Sequence, residues 1–564
     1  MSTLALQPTN NTPSPLHVES QETDFCGGRY RPVRRVNDRG GLAVTTLIVS
    51  IIVRFSQACN GHAPHLQLRK QCNTHQEAIH FVMHLQMEVS LAQYIALPGV
   101  TLLIGWLIHW VYKWINPTCN GILPPGSMGF PVIGETFQFI KANSSLDMPD
   151  YFKLRMRRYG PVFKTSLFGQ PAVFTCDAEV NRFILKEEGN VFQIGYPEAV
   201  RKIFGGKSID AFRGATQKFI RRFCFTLFGL ENLKEVLLPE LEGAVRECLA
   251  TWATKPSVDV RGGAPDILFE LMTKKFLSFD AAKSAELRKN IDTLSKGLLS
   301  FPIYLPGTAF YRSMKAWKNV RKTIRDTLTE RLRTPDKKHG DMLDLIVEQL
   351  HCEEPLINEN FAVDMVSTLL FAGIYTLAAI IAITFKSLHD NPEVVRALKE
   401  ENQAILKNRK DGNSRLTWEE CKSLRFTTQV TNEIFRISNA AIGVFRTTLM
   451  DAQVNGYTIP AGWIVIVNPM ALHLNAEVFE DPLKFYPWRW MDETKRSTLL
   501  KNFMPFGAGM RVCPGAEYSK AVVTLLIHVL VTEYIWEEIR GGDVFRSTDV
   551  MFPKGYHIRL QPIT

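Results

Sequence analysis

The chain has 564 residues, 46% hydrophobic and 22% charged, so it can bury a large core and does not belong among disordered or fibrous proteins. Its formal charge is +10, yet no segment combines basic and aromatic residues as a nucleic-acid module would, and no nucleic-acid partner is expected. Ten cysteines are scattered without paired CxxC spacing, which excludes an evident zinc site or disulfide framework and suits reducing surroundings.

The first 86 residues differ from the rest. They hold a basic stretch (Arg29, Arg31, Arg34, Arg35, Arg39) and a short apolar run, Leu42 to Val53, too short to span a bilayer. We read 1–86 as an atypical extension and expect the natural product to start at Met87. Ser90 to Tyr112 then contains no Asp, Glu, Lys or Arg and would extend roughly 34 Å as a helix, enough for a transmembrane anchor at 90–112. Pro98 and His109 interrupt its apolar character. Trp106, Trp110, Tyr112 and Trp114 form an aromatic belt, and Lys113 favours a cytosolic C-terminal side. A buried soluble helix is the alternative reading. Residues 113–134, with Leu123-Pro124-Pro125-Gly126, form a proline-rich hinge, and 124–564 is expected to be one domain.

Helices are expected at Asp150 to Arg158, Leu233 to Thr251 and Trp317 to Arg333. Phe301 to Thr308, broken by two prolines and a glycine, connects helices. Phe361 to Leu388 is apolar enough to be buried throughout, and Asn391-Pro392 stops it, proline being suited to open the next helix. The stretch Gly456 to Trp463 suggests a hairpin. Phe192, Tyr196 and Phe204 are candidate pocket residues, although core packing explains them equally.

The most specific segment is Phe506-Gly507-Ala508-Gly509-Met510-Arg511-Val512-Cys513-Pro514-Gly515. It isolates one cysteine in a glycine-rich loop before a helix expected at Ala516 to Thr532. A thiolate that binds haem iron must be held still, shielded and supplied with N–H donors. Gly507 and Gly509 allow unusual backbone angles, and Gly515 lets the helix start close to a flat ring. The helix N-terminus favours the anion. Phe506 is placed to cover the sulfur and Arg511 to neutralise a haem propionate with its forked donors.

With this Phe-x-x-Gly-x-Arg-x-Cys-x-Gly pattern the chain resembles the cytochrome P450 family. The resemblance implies a mainly α fold with small β regions behind an N-terminal membrane anchor helix, haem b as cofactor and Cys513 as axial ligand. It extends upstream. Glu433 and Arg436 form Glu-x-x-Arg on one helix face, and Phe485-Tyr486-Pro487-Trp488-Arg489-Trp490 resembles the segment that returns Arg489 to that pair; all three are structural. Arg446, on an expected strand, stands where the family places a propionate-binding arginine. Ala372-Gly373-Ile374-Tyr375-Thr376 is similar to Ala/Gly-Gly-x-Asp/Glu-Thr. There the small pair leaves room for dioxygen and the Thr376 hydroxyl positions it with a proton-delivering water. Tyr375 replaces the usual acid and is the poorer proton relay near neutral pH. The opposing reading is that Thr376 satisfies a carbonyl one turn earlier while Tyr375 packs in the core. Gln217 replaces an aromatic residue, leaving Arg221 to carry over as a propionate ligand. Lys218 and Arg222 could belong to a basic face for an acidic electron donor or to an ordinary solvated face.

The hinge and the words around Trp110 and Gly456 look most like plant enzymes that oxidise sterols, brassinosteroids and triterpenes, thalianol hydroxylase types among them. The resemblance implies oxygen insertion into a C–H bond of an apolar terpenoid. Electrons would come from NADPH through cytochrome P450 reductase, the enzyme sitting in the lipid of the endoplasmic reticulum membrane and facing the cytosol. A reductase-independent haem-thiolate isomerase or lyase, and a non-catalytic decayed copy, are the alternatives that Tyr375 and Gln217 leave open.

Overall fold

Two runs rich in Val, Phe and Thr flank Phe168-Gly169, and both turn residues take positive φ, as a tight two-residue hairpin turn requires. Strands β1 (Val162–Leu167) and β2 (Gln170–Thr175) therefore pair antiparallel, from Val162 opposite Thr175 to Leu167 opposite Gln170. The structure is a computed structural model that describes residues 97–206, 213–407, 409, 415–441 and 443–563. The further strands are β3 (Phe192–Ile194), β4 (Val258–Asp259), β5 (Val444–Thr448), β6 (Ala452–Val454), β7 (Tyr457–Ile459), β8 (Ile464–Val467), β9 (Tyr534–Gly541), β10 (Phe545–Arg546), β11 (Val550–Met551) and β12 (Tyr556–Pro562). They make one five-stranded sheet, ordered β1-β2-β8-β5-β3, and three smaller ones. The expected hairpin at Gly456 to Trp463 is displaced: the hairpin is β6–β7, turning at Asn455-Gly456, and the rest of the stretch leads into β8.

Helices carry most of the core. Those used below are α1 (Asp150–Tyr159), α2 (Ala178–Lys186), α3 (Gly214–Phe228), α4 (Leu238–Ala253), α5 (Val260–Leu277), α6 (Ala281–Ser295), α7 (Ala309–Arg333), α8 (Glu359–His389), α9 (Arg425–Ser438) and α10 (Ala516–Glu533). The Asn358 side chain caps α8 by accepting from the Phe361 N–H at 2.9 Å, and the helix is apolar on nearly every side, which suits an element surrounded by protein. It is the one described helix long and apolar enough to cross a membrane, and most of it is buried. The helix expected at Leu233 divides into a π-helical turn, Leu233–Leu237, and α4, because Pro239 has no N–H with which to continue the ladder. Helix α7 starts eight residues before the expected Trp317, where the Thr308 hydroxyl accepts from the Tyr311 N–H at 3.1 Å.

The chain divides into two compact units, 1–103 and 104–564. Of the first, residues 97–103 are helical and exposed; the extension at 1–86 and the start of the expected anchor, 90–96, lie outside the described residues. The second opens as helix to residue 115, with Trp106 and Tyr112 exposed. The expected hinge is laid along β1: the Lys164 N–H donates to the Pro125 carbonyl and the Glu135 N–H to the Ser166 carbonyl, both at 2.8 Å.

Candidate active site

Helix α9 places Glu433 and Arg436 on the same face, and both are fully buried. Arg436 donates from Nε and Nη2 to the two Glu433 oxygens at 2.9 and 2.8 Å, while Arg489 Nε donates to Oε1 at 3.0 Å. Trp490 Nε1 and the Tyr486 N–H complete the set at 2.9 and 3.1 Å. Five donors on one carboxylate repay its burial. Trp490 closes the Phe485–Trp490 segment, and nothing in its sequence position signals this role.

Arg436 also donates to the carbonyl of His473, whose ring sequence reasoning missed. His473 Nδ1 lies 2.6 Å from Asn439 Oδ1, and Nε2 accepts from the Met504 N–H at 3.0 Å. One neutral tautomer, with the proton on Nδ1, satisfies both contacts. Burial pushes the imidazole pKa down to about 3, with Arg436 and Arg546 acting in the same direction. This neutral histidine ties the end of α9 to the start of the cysteine loop.

In that loop, Gly507 and Gly509 take φ of 73° and 72°. A Cβ on Gly509 would lie 2.5 Å from the Leu185 carbonyl oxygen at the end of α2. Gly515 has an ordinary helical-side φ of −89°; what its missing Cβ preserves is space beside the sulfur, 3.9 Å away. The Cys513 N–H donates to the Phe506 carbonyl at 3.0 Å, and the Phe506 ring packs on Phe435 of α9 at 4.9 Å between centroids. Burial pushes the Cys513 thiol up, while the Gly515 N–H pulls the other way. A bound metal cation would favour the thiolate against that burial.

Cys513 lines a cavity of about 360 Å3 together with Ala372, Gly373 and Thr376 of α8. A second, largely apolar cavity of about 810 Å3 shares Ala372 and Thr376 and continues past Tyr196, Phe204, Phe371 and Tyr375, with Arg261, Arg288, Lys296 and Asp549 also on its wall. Phe192, expected as a pocket residue with Tyr196 and Phe204, is instead wholly buried on β3 against Phe183. Thr376 Oγ1 donates to the Ala372 carbonyl at 3.1 Å, so the hydroxyl makes the local back-bond and faces both cavities. Gly373 has a packing reason as well: a Cβ there would come within 2.7 Å of Met272 Cε on α5. Tyr375 donates its hydroxyl to Asp292 of α6, which also accepts from Arg288 Nε at 3.2 Å. Burial first, then Asp292, raise the phenol above its ordinary pKa, so it stays protonated at neutral pH.

The arginines expected at the propionates separate. Arg511 lines the slot with Cys513 and donates from Nε to Glu188 Oε1 at 2.5 Å. Arg446 is buried on β5, lines neither cavity, and meets Glu188 Oε2 through Nε at 2.5 Å. Arg221 lies apart and donates to the Met510 carbonyl at 2.7 Å, bracing the cysteine loop from α3 with Gln217 beside it. Glu188 carried no signal in the sequence. Outside the slot, Arg182, Lys186, Arg213, Lys218 and Arg221 line a basic recess with Arg511, while Arg222 is exposed elsewhere on α3.

The donor set fits haem. The Cys513 thiol, on an N–H-supported loop, lines a slot with the small residues Ala372 and Gly373 and the Arg511 guanidinium, next to a larger and largely apolar chamber. Such a fold and site define a haem-thiolate oxygenase. The family model described as Cytochrome P450 matches residues 124–557, and the chain belongs to the cytochrome P450 family. It is 43% identical over 457 residues to Cytochrome P450 87A3 of Oryza sativa subsp. japonica, covering 81% of this chain and 89% of that protein. It is 38% identical to the beta-amyrin 16-alpha-hydroxylase CYP87D16 of Maesa lanceolata (83% and 98% covered) and 37% identical to the cucurbitadienol 11-hydroxylase of Siraitia grosvenorii (82% and 98%). Retinoic acid bound cyanobacterial CYP120A1 shares the fold with a TM-score of 0.70 and 24% identity, over 79% of this chain and all of that one. The chain is thus a P450 monooxygenase of the plant group that includes triterpene and sterol hydroxylases, with haem b as its cofactor.

Proposed function

We propose that this P450 hydroxylates a triterpene or sterol-like substrate, using dioxygen and two electrons from NADPH delivered by cytochrome P450 reductase. The observation that carries this reading is the largely apolar chamber of about 810 Å3 that reaches Thr376, which also lines the slot with Cys513. The named hydroxylases among its relatives support the substrate class. Cys513 would hold the haem iron through its sulfur, Arg511 would meet a propionate from the slot, Arg221 would support that end by holding the Met510 carbonyl, and Phe506 and Gly507 would shape the wall around the sulfur. Bound haem supplies dioxygen activation, and a thiolate ligand favours O–O cleavage by donating electron density. Thr376 keeps oxygen lone pairs toward the chamber while its proton rests on the Ala372 carbonyl, so it can orient a water and pass a proton through Oγ1. Tyr375 holds its proton toward Asp292 and stands outside that route. The basic recess suits an acidic electron donor, and the helix expected from residue 90 anchors the enzyme to the endoplasmic reticulum, catalytic domain in the cytosol.

The test is a feeding assay in microsomes with and without reductase and NADPH, using beta-amyrin, cucurbitadienol and cholesterol. A product with one added oxygen, formed only with NADPH, is expected. An isomer formed without NADPH, or a haem-loaded protein that turns over none of them, would overturn the reading.

A further inference from the structure

Helix α5 opens with a basic residue where a helix favours acidic ones. Arg261 stands in its first turn, against the positive end of the helix dipole, so the helix itself gains nothing from that charge. Asp259, which caps the helix, accepts from the Arg261 N–H at 3.2 Å and from the Tyr556 N–H at 3.0 Å, both through Oδ1. The Arg261 guanidinium is half-buried on the wall of the chamber of about 810 Å3 and, among the described residues, makes no hydrogen bond or ion pair. Most other charges on that wall are already satisfied. Arg288 pairs with Asp266 and with Asp292, and Asp292 takes the Tyr375 hydroxyl. Lys296 is exposed, where water satisfies its ammonium. Asp549, in the turn between β10 and β11, also lines the chamber and makes no ion pair among the described residues. Burial raises its carboxyl pKa and Arg261 draws it back down, while Asp549 favours the charged form of Arg261 against the burial that weakens it. Two opposite charges thus feel each other across the chamber wall without joining, and neither lines the slot with Cys513.

We infer that Arg261 and Asp549 are specificity-determining residues that hold a hydroxyl group of the terpenoid away from the slot, the guanidinium donating to its oxygen and the carboxylate accepting its O–H. The inference rests on the terpenoid reading of the chamber. A hydroxyl satisfies both charges at once. A ketone or an ether accepts from Arg261 but has no proton for Asp549, a carboxylate is repelled by Asp549, and a hydrocarbon leaves both groups unpaired in a largely apolar chamber. Fixing one end of a rigid ring system at this pair also limits which of its carbons can reach Thr376 and the slot.

The experiment is substrate-binding difference spectroscopy of the haem-loaded enzyme with beta-amyrin and cholesterol, each as the alcohol, the ketone, the methyl ether and the deoxy hydrocarbon. Wild type should bind the alcohol about tenfold more tightly than the ketone or the ether, as one hydrogen bond to a charged group implies. Asp549→Asn, whose amide can donate as well as accept, should bind alcohol and ketone alike. Arg261→Leu should weaken alcohol and ketone about tenfold and leave the hydrocarbon unchanged. Residues that only braced the fold would change every affinity together. Equal wild-type affinity for alcohol, ketone and hydrocarbon overturns the inference, as does a preference for the alcohol that survives in Asp549→Asn. If none of these ligands binds, the inference falls together with the proposed substrate class, whereas missing discrimination among ligands that do bind overturns the inference alone. Should Arg261→Leu fail to load haem, the alcohol-to-ketone ratio in Asp549→Asn decides: a ratio near one supports the assignment and the wild-type ratio refutes it.

Discussion

Lowering pH should destabilise this protein through His473. The imidazole is neutral and wholly buried, and its folded pKa of about 3 stands against about 6.5 in the unfolded chain. The folded pKa is depressed, so the stabilisation is complete above the unfolded value and is lost as pH falls from about 6.5 toward 3. Between pH 7.5 and 5.0 the unfolded chain takes up nearly one proton that the folded chain refuses. At about 1.4 kcal/mol per pH unit, the cost over that interval is about 2 kcal/mol. Protonation would remove the acceptor that Nε2 offers to the Met504 N–H, directly before the cysteine loop. The assay is urea unfolding of wild type and His473→Gln at both pH values, followed by far-ultraviolet circular dichroism and the Soret band. His528, held down to about 4 mainly by burial, titrates in both proteins, so the difference between their pH responses isolates His473. Wild type should lose about 2 kcal/mol more than the variant between pH 7.5 and 5.0. Equal losses would refute the reasoning.

Glu433→Gln leaves Arg436 buried with its countercharge removed and should cost about 3–5 kcal/mol, read as a fall in urea midpoint and in haem-loaded yield. Gly509→Ala adds a Cβ at φ 72° against the Leu185 carbonyl and should cost about 1–3 kcal/mol, seen in Tm. Gly515→Ala, at an ordinary φ with only the sulfur near, should keep Tm close to wild type while altering the Soret band. Thr376→Ala should keep consuming NADPH but give roughly tenfold less product per NADPH, whereas Thr376→Ser should retain most of the yield.

The parts of the site confined to a few neighbouring residues were legible in the sequence because local geometry constrains them. Glu433 and Arg436 sit one helical turn apart, and Gly507 and Gly509 occupy left-handed positions that other residues avoid. The long α8 was legible for a different reason: a helix apolar all round has to be surrounded. The prolines of residues 113–134 signal a break, but they do not show that β1, some 30 to 40 residues on, would bond the Pro125 carbonyl and the Glu135 N–H. Glu188 and Asp292 escaped notice because each is a single carboxylate whose meaning comes from a partner 323 and 83 residues away.

The most direct test of the account is the reduced carbon monoxide difference spectrum of the protein and of Cys513→Ser. Wild type should show a thiolate-type Soret band, and the variant should lose it while any haem it retains gives the spectrum of a non-thiolate ligand. A thiolate-type band surviving in Cys513→Ser, or no such band in a haem-loaded wild type, would contradict the assignment on which the proposed chemistry depends.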